Sequence, residues 1–234
     1  MTENTPLTES PDSSAAGKTT PRWQRRPDAR PEEILRAAMQ TFVERGFAAT
    51  KLEEVAARAG VSKGTLYLYF SNKEELFRSA VQESILPHIQ SGEQRIAGFQ
   101  GSPLVLLREA YERWAAVVTD PLMGGLCKLV VTEAANFPEV AVFYFEQVIK
   151  RTRALFASIL QRCMAAGEIR DLPIDLAVRE ITAPILFAVM WRQSMSQHDD
   201  KPLDVPAYLD FHFNTLLQGW RTDIKPDSHT GPQK

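Results

Sequence analysis

The 234-residue chain is 44% hydrophobic and 24% charged, which is ample for a sizeable core and excludes a chain that is disordered throughout. Its formal net charge of −2 excludes a uniformly basic nucleic-acid coat. Charge is nonetheless unevenly spread. Residues 22–78 carry 11 Lys+Arg against 8 Asp+Glu and the remainder carries 16 against 21, a pattern suited to touching phosphates with one end only.

Residues 1–29 are rich in Thr, Ser, Pro and Glu and nearly free of large apolar side chains, so they predict a disordered tail. The tail ends in a basic arm containing Arg22, Arg25 and Arg26, which fits a DNA-contacting arm and a solvated linker equally well. Helical periodicity begins after Pro31, with Ile34, Leu35, Ala38, Met39, Phe42 and Val43 on one stripe. Gly46 supplies a left-handed stop. Thr50 and Glu53 have the spacing of a capping box for a short second helix that buries Leu52, Val55, Ala56 and Ala59. Gly60 allows a sharp turn, and Ser62 is placed to cap a third helix from Lys63 to about Tyr69. Ser71 and Asn72 then cap a helix starting at Lys73.

Beyond residue 80 the pattern stays helical, with helices expected at about 73–97, 103–118, 121–135, 138–166, 174–196 and 205–220. Pro87 and Pro184 fall inside two of them and predict kinks, or a break at Pro87. No strand, hairpin or repeat signal is present, so the fold class is all-α. The organisation predicted is a tail (1–29), a three-helix helix-turn-helix domain (30–78), a larger helical ligand-sensing and dimerisation domain (79–221), and a frayed end (222–234).

The segment 50–76 carries the functional information. A short helix, a tight glycine turn and a second short helix predict a helix-turn-helix whose second helix enters the DNA major groove. The groove-facing start of that helix must be small and polar so that the backbone can approach, and Ser62, Lys63, Gly64 and Thr65 meet that demand. Tyr67 and Tyr69 offer hydroxyls able to donate to phosphate oxygens, and Lys73 adds a positive charge at the start of the next helix.

The run Thr50, Val55-Ala56, Ala59-Gly60-Val61-Ser62-Lys63-Gly64-Thr65-Leu66-Tyr67, Tyr69-Phe70, Lys73-Glu74, Leu76 resembles the signature of TetR/AcrR-type repressors. The resemblance covers about residues 31–78. It implies a three-helix DNA-binding domain joined through the fourth helix to an all-α domain that binds ligand and dimerises. Lys63, Gly64, Thr65 and Tyr67 match the recognition-helix positions near bases and phosphates. Thr50, Tyr69 and Lys73 match positions that touch the DNA backbone. The family often has His where this chain has Tyr69. More weakly, Leu126–Ala134 with Phe137-Pro138-Glu139 resembles a subgroup of the family found near efflux or membrane-stress genes.

In the rear domain, Trp114, Met123, Phe137, Phe143, Tyr144, Phe187 and Trp191 are candidates to line an apolar ligand cavity, each competing with an ordinary core role. The helices at 174–196 and 205–220 are expected to pair two chains as a four-helix bundle. The first would use Leu176, Ile181, Ile185, Leu186 and Val189, and the second Leu209, Phe213, Leu216 and Leu217. The expected partners are therefore double-stranded operator DNA, a second copy of the chain and a small, lipophilic effector. A ligand-independent regulator or adaptor, and an all-helical enzyme, are the competing readings. No phosphate-cradling loop, nucleophile elbow or paired carboxylates support the enzyme, and no cofactor is implied. The four histidines lack metal spacing, and Cys127 and Cys163 read as buried free thiols. No membrane-span or signal pattern is visible, so a cytoplasmic protein is expected, on the nucleoid when bound to DNA.

Overall fold

The computed structural model describes residues 31–222, so the predicted tail, its basic arm and the rest of the frayed end lie outside the described residues. Within that span the chain forms α1 (Pro31–Arg45), α2 (Leu52–Arg58), α3 (Lys63–Tyr69), α4 (Lys73–Ser84), α5 (Leu86–Gly98), α6 (Pro103–Thr119), α7 (Pro121–Glu133), α8 (Pro138–Tyr144), α9 (Lys150–Ala165), α10 (Ile174–Ser194) and α11 (Val205–Trp220). Among the described residues there is no strand, only an isolated bridge between Ile169 and Arg221. Among the described residues no single helix is long and apolar enough to cross a membrane.

Local chemistry sets most boundaries. Gly46 and Gly60 have φ of 79° and 70°, conformations that a side chain with a Cβ strains to adopt, and they end α1 and turn α2 into α3. Ser62 caps α3 by accepting from the Thr65 amide at 3.0 Å, and Asn72 caps α4 by accepting from the Glu75 amide at 2.7 Å. Pro87 sits in the first turn of α5, where a missing N–H costs nothing, and the chain breaks between α4 and α5 as expected. Pro184 is buried within α10, which remains one helix.

Two sequence expectations fail. The capping box at Thr50 and Glu53 is absent: Lys51 takes the N-cap position of α2 without a side-chain cap bond. Thr50 turns inward instead, is 4% exposed, and donates its hydroxyl to the Gly46 carbonyl at 2.7 Å. The glycine stop leaves that carbonyl part-buried beside the inward-facing Thr50, and an acceptor withdrawn from water needs a donor more than an exposed helix end needs a cap. The helix expected over 138–166 is also interrupted. A π-helical turn at Phe145–Ile149 lies between α8 and α9, with the Lys150 amide donating to the Phe145 carbonyl five residues back. Periodicity alone does not reveal such an inserted residue.

Buried side chains gather into two cores. The first unites α1–α5 with α7, α8 and the π turn, so the helix-turn-helix shares its interior with the wall of the rear domain. At its centre Phe42, Phe47 and Phe77 meet with ring centroids 5.4–5.9 Å apart, each burial worth about 1.5–3 kcal/mol. The second core unites α6, α9, α10 and α11. Trp114 packs against both.

The predicted pairing face needs correction. Ile181, Ile185, Val189, Leu209, Phe213 and Leu217 are buried within the chain and unavailable to a partner. Leu176 and Leu186 are exposed, Leu216 is half-buried, and the outer face of α10 and α11 adds Phe187 and Phe211. Helix α10 is apolar nearly all round, so its sequence could not say which stripe faces inward.

Candidate functional site

The third helix turns outward most of the residues that the sequence assigns to DNA contact. Leu66 and Phe70 anchor it in the core, which turns Ser62, Lys63, Gly64, Tyr67, Leu68 and Tyr69 outward, with Thr65 half-buried. Ser62 and Thr65 share a hydroxyl–hydroxyl bond of 2.8 Å, which orders the first turn and leaves lone pairs free. Lys63 pairs with Glu53 of α2, which lowers the Glu53 pKa and raises that of Lys63, and its ammonium lies 5.6 Å from the Tyr67 ring centre. Tyr67 and Tyr69 are 43% and 48% exposed, enough to present hydroxyls to a phosphate. Leu68, 84% exposed, was missed; with Leu66 inward, helical geometry already required it to face out.

Two expected backbone-contacting residues are placed differently. Thr50 is buried and its hydroxyl proton is spent on Gly46, so its role is to hold the loop that presents α2. Lys73 is half-buried, and its ammonium donates to the Phe47 and Ala48 carbonyls at 3.0 and 3.1 Å. It also sits 4.8 Å from the Phe47 ring centre and 5.4 Å from that of Phe137, at the entrance to α8. Lys73 therefore clamps the α1–α2 loop against the rear domain. Lys73→Met is expected to cost about 1–3 kcal/mol of stability in urea denaturation while leaving the salt slope of DNA binding unchanged. A lowered slope at unaltered stability would return Lys73 to the DNA surface.

An apolar cavity of about 310 Å³ opens among α6, α7, α8, the π turn, α9 and α10, within the size range of small-molecule sites. Its walls include Trp114, Cys127, Val130, Tyr144, Val148, Ile149, Ile185 and Val189, and its polar members include Thr152, Arg153, Arg179 and Thr182. Burial raises the pKa of the Tyr144 hydroxyl and of the Cys127 thiol, so both stay neutral near pH 7. Burial likewise pushes Cys163 up to about 12. A second cavity of about 50 Å³, beside Arg95 and Arg113, shares Trp114 and Thr152 as its partition with the first.

Of the seven expected lining residues, Trp114 and Tyr144 line the large cavity and five do not. Met123 packs into the first core. Phe137 stacks edge-on against Phe47 at 4.6 Å, and Phe143 lies under Arg78 of α4, so both join the rear domain to the helix-turn-helix. Phe187 and Trp191 stack on each other at 5.7 Å on α10, outside the cavity. Aromatic content alone could not sort cavity walls from junctions and outer faces. Val130 and Val131 could have been found from the apolar run 129–131; Thr152 and the two arginines carry no such signal. Among the described residues, no cluster of three or more His, Cys, Asp or Glu side chains is arranged for a metal.

The family model described as bacterial regulatory proteins, tetR family, matches residues 34–80, and the tetracyclin repressor-like C-terminal domain model matches residues 100–201. Over 174 residues the chain is 30% identical to the HTH-type transcriptional repressor KstR2 of Mycolicibacterium smegmatis, covering 70% of this chain and 80% of that protein. The chain belongs to the TetR family of transcriptional regulators. It is thus a member of a class of DNA-binding regulators and not of enzymes.

The fold agrees with solved structures of TetR-family size. The ketosteroid transcriptional regulator KstR2 of Mycobacterium tuberculosis superposes with a TM-score of 0.61 at 24% identity, covering 84% of this chain and 97% of that one. The regulator FadR of Bacillus subtilis, solved in complex with stearoyl-CoA, gives 0.63 at 23% identity, covering 81% and 99%.

Proposed function

We propose that this TetR-family member is a dimeric repressor that binds a palindromic operator through α3 and is released by a lipophilic effector held in the cavity of the rear domain. The observation that carries this reading is a helix shared between the cavity wall and the base of the helix-turn-helix. Helix α7 supplies Cys127, Val130 and Val131 to the cavity wall and packs directly on α1 of the helix-turn-helix. Residues 30–78 act as the reading head and 79–221 as the sensing and pairing unit.

Lys63, Gly64, Thr65, Tyr67 and Leu68 face the major groove, while Ser62 and Tyr69 lie along the phosphates. An effector that favours a conformer with misplaced heads weakens operator binding by the same coupling energy, about 1–3 kcal/mol in typical cases. KstR2 and the FadR–stearoyl-CoA complex support an apolar effector, since one is described as a ketosteroid regulator and the other holds a fatty acyl thioester.

Pairing uses the outer face of α10 and α11, where Leu176, Leu186, Phe187 and Phe211 leave an apolar strip exposed. Phe211, 71% exposed, has little to do inside one chain. Phe211→Glu is expected to yield a folded monomer by sedimentation, with operator affinity reduced more than about tenfold. A variant that sediments as a dimer and binds operator normally would reject this face, and with it the symmetric reading.

A further inference from the structure

The cavity holds an unusual set of unmatched polar groups. Thr152 is 95% buried by its 5% exposure, lines both cavities, and its hydroxyl has no hydrogen-bond partner among the described residues. That is costly, because a buried hydroxyl without a partner forfeits its solvation for nothing. It is also exceptional here. Thr41, Thr119, Thr132, Thr182 and Thr215 each sit in the body of a helix, and each donates to the carbonyl four residues back. Thr152 follows the π turn at Phe145–Ile149 and makes no such bond. π turns of this kind occur often at functional sites.

Two cations share the same cavity. Arg153 and Arg179 line it, and among the described residues neither forms a salt bridge or a side-chain hydrogen bond. By contrast, Arg58, Arg78, Arg95, Arg108 and Arg151 all have carboxylate partners. Arg153 does pack against the Phe145 ring, its guanidinium carbon 5.8 Å from the ring centre. An apolar chamber with an orphaned donor and two guanidinium groups that lack carboxylate partners is complementary to one kind of molecule.

We propose that the effector is an amphipathic anion, whose apolar body fills the cavity and whose negatively charged end is bound by Arg153 and Arg179, with the Thr152 hydroxyl donating to a polar atom of the same molecule. This rests on the sensing role proposed above and specifies its ligand chemistry. A free carboxylate and the phosphates of an acyl thioester supply the same charge, so the two sources are compared directly.

The full-length protein is titrated calorimetrically with dodecanoate, dodecanoyl-CoA and uncharged methyl dodecanoate. At least one anion should bind about tenfold or more tightly than the methyl ester, the scale of a charge-assisted hydrogen bond. The better anion identifies the source. Arg153→Gln/Arg179→Gln should abolish this preference without lowering affinity for the ester. Thr152→Val should weaken the anion several-fold yet leave the empty protein's melting temperature unchanged or higher, since it removes an unsatisfied hydroxyl. That opposition separates a ligand contact from a packing role.

Equal affinity for all three ligands would leave the cavity as the effector site and overturn the charge assignment. Binding by none would overturn the anion proposal, while ligand-free operator binding judges the regulator reading separately. A ligand-free dimer that melts lower after Arg179→Gln would give that arginine to an ion pair between chains, and would also overturn the assignment.

Discussion

Gly64→Leu is expected to eliminate operator binding from a protein that melts at or above the temperature of its parent. A Cβ built on Gly64 meets only the Ser62 hydroxyl, at 3.8 Å, which is ordinary contact, so the free protein has room for a side chain. Glycine also costs a helix up to about 1 kcal/mol relative to good helix formers, so the substitution favours α3. The penalty falls on the complex. The side chain would project from the exposed first turn of α3 into the space that duplex edges must occupy. Overpacking of a close-fitting contact typically costs about 1–3 kcal/mol, and a symmetric pair incurs it twice, so the loss is about thirtyfold or more. Calorimetric melting and a fluorescence-anisotropy isotherm on the same preparation check both halves. Retained affinity would mean that the main chain at Gly64 does not approach DNA.

The second large effect concerns the junction through which the cavity acts on the reading head. A Cβ on Gly125 would lie 2.5 and 2.6 Å from the two γ-carbons of Val43 in α1. Valine in a helix has one strongly preferred rotamer and cannot swing aside, so α7 and α1 must separate. On an open helix, glycine to alanine is stabilising. Here Gly125→Ala should instead destabilise by about 1–3 kcal/mol in urea denaturation and weaken operator binding by displacing α1. Val43→Ala removes both offending carbons. The double variant should regain most of the loss, with a coupling of about 1 kcal/mol or more in the mutant cycle. Strictly additive energies would show that the two helices are not in close contact. Preserved operator affinity in a destabilised Gly125→Ala protein would remove α7–α1 as the route of coupling.

These two glycines illustrate what the sequence discloses. Gly64 was legible because its neighbours are local: Ser62 caps the helix, Gly60 makes the turn, and Leu66 fixes which face is outward, all within a few residues. Gly125 has no such local signal, because its partner Val43 lies far away in the chain. The surroundings of Lys73 were hidden for the same reason. Its motif position suggested DNA, but its partners are carbonyls 25 and 26 residues earlier and a ring from the α8 entrance. Thr50 was assigned by spacing to a cap, and burial took it for an interior carbonyl. In the rear domain the helix boundaries followed prolines and glycines closely, yet the cavity did not follow its aromatics. Trp114 and Tyr144 line it, whereas Phe137 and Phe143 brace the junction. Of the polar members, Thr152 and Arg153 follow a π turn, a feature of hydrogen-bond register with no composition of its own.

Helix α3, offered twice to one duplex, is the claim on which the rest depends. Nuclease protection of the intergenic DNA beside the protein's own gene tests it most directly. The account predicts two protected half-sites related by a dyad, centred a helical turn or more apart, formed by the wild-type protein and absent with Gly64→Leu at equal concentration. Protection that persists unchanged in the variant, or a single unsymmetrical patch, would contradict it.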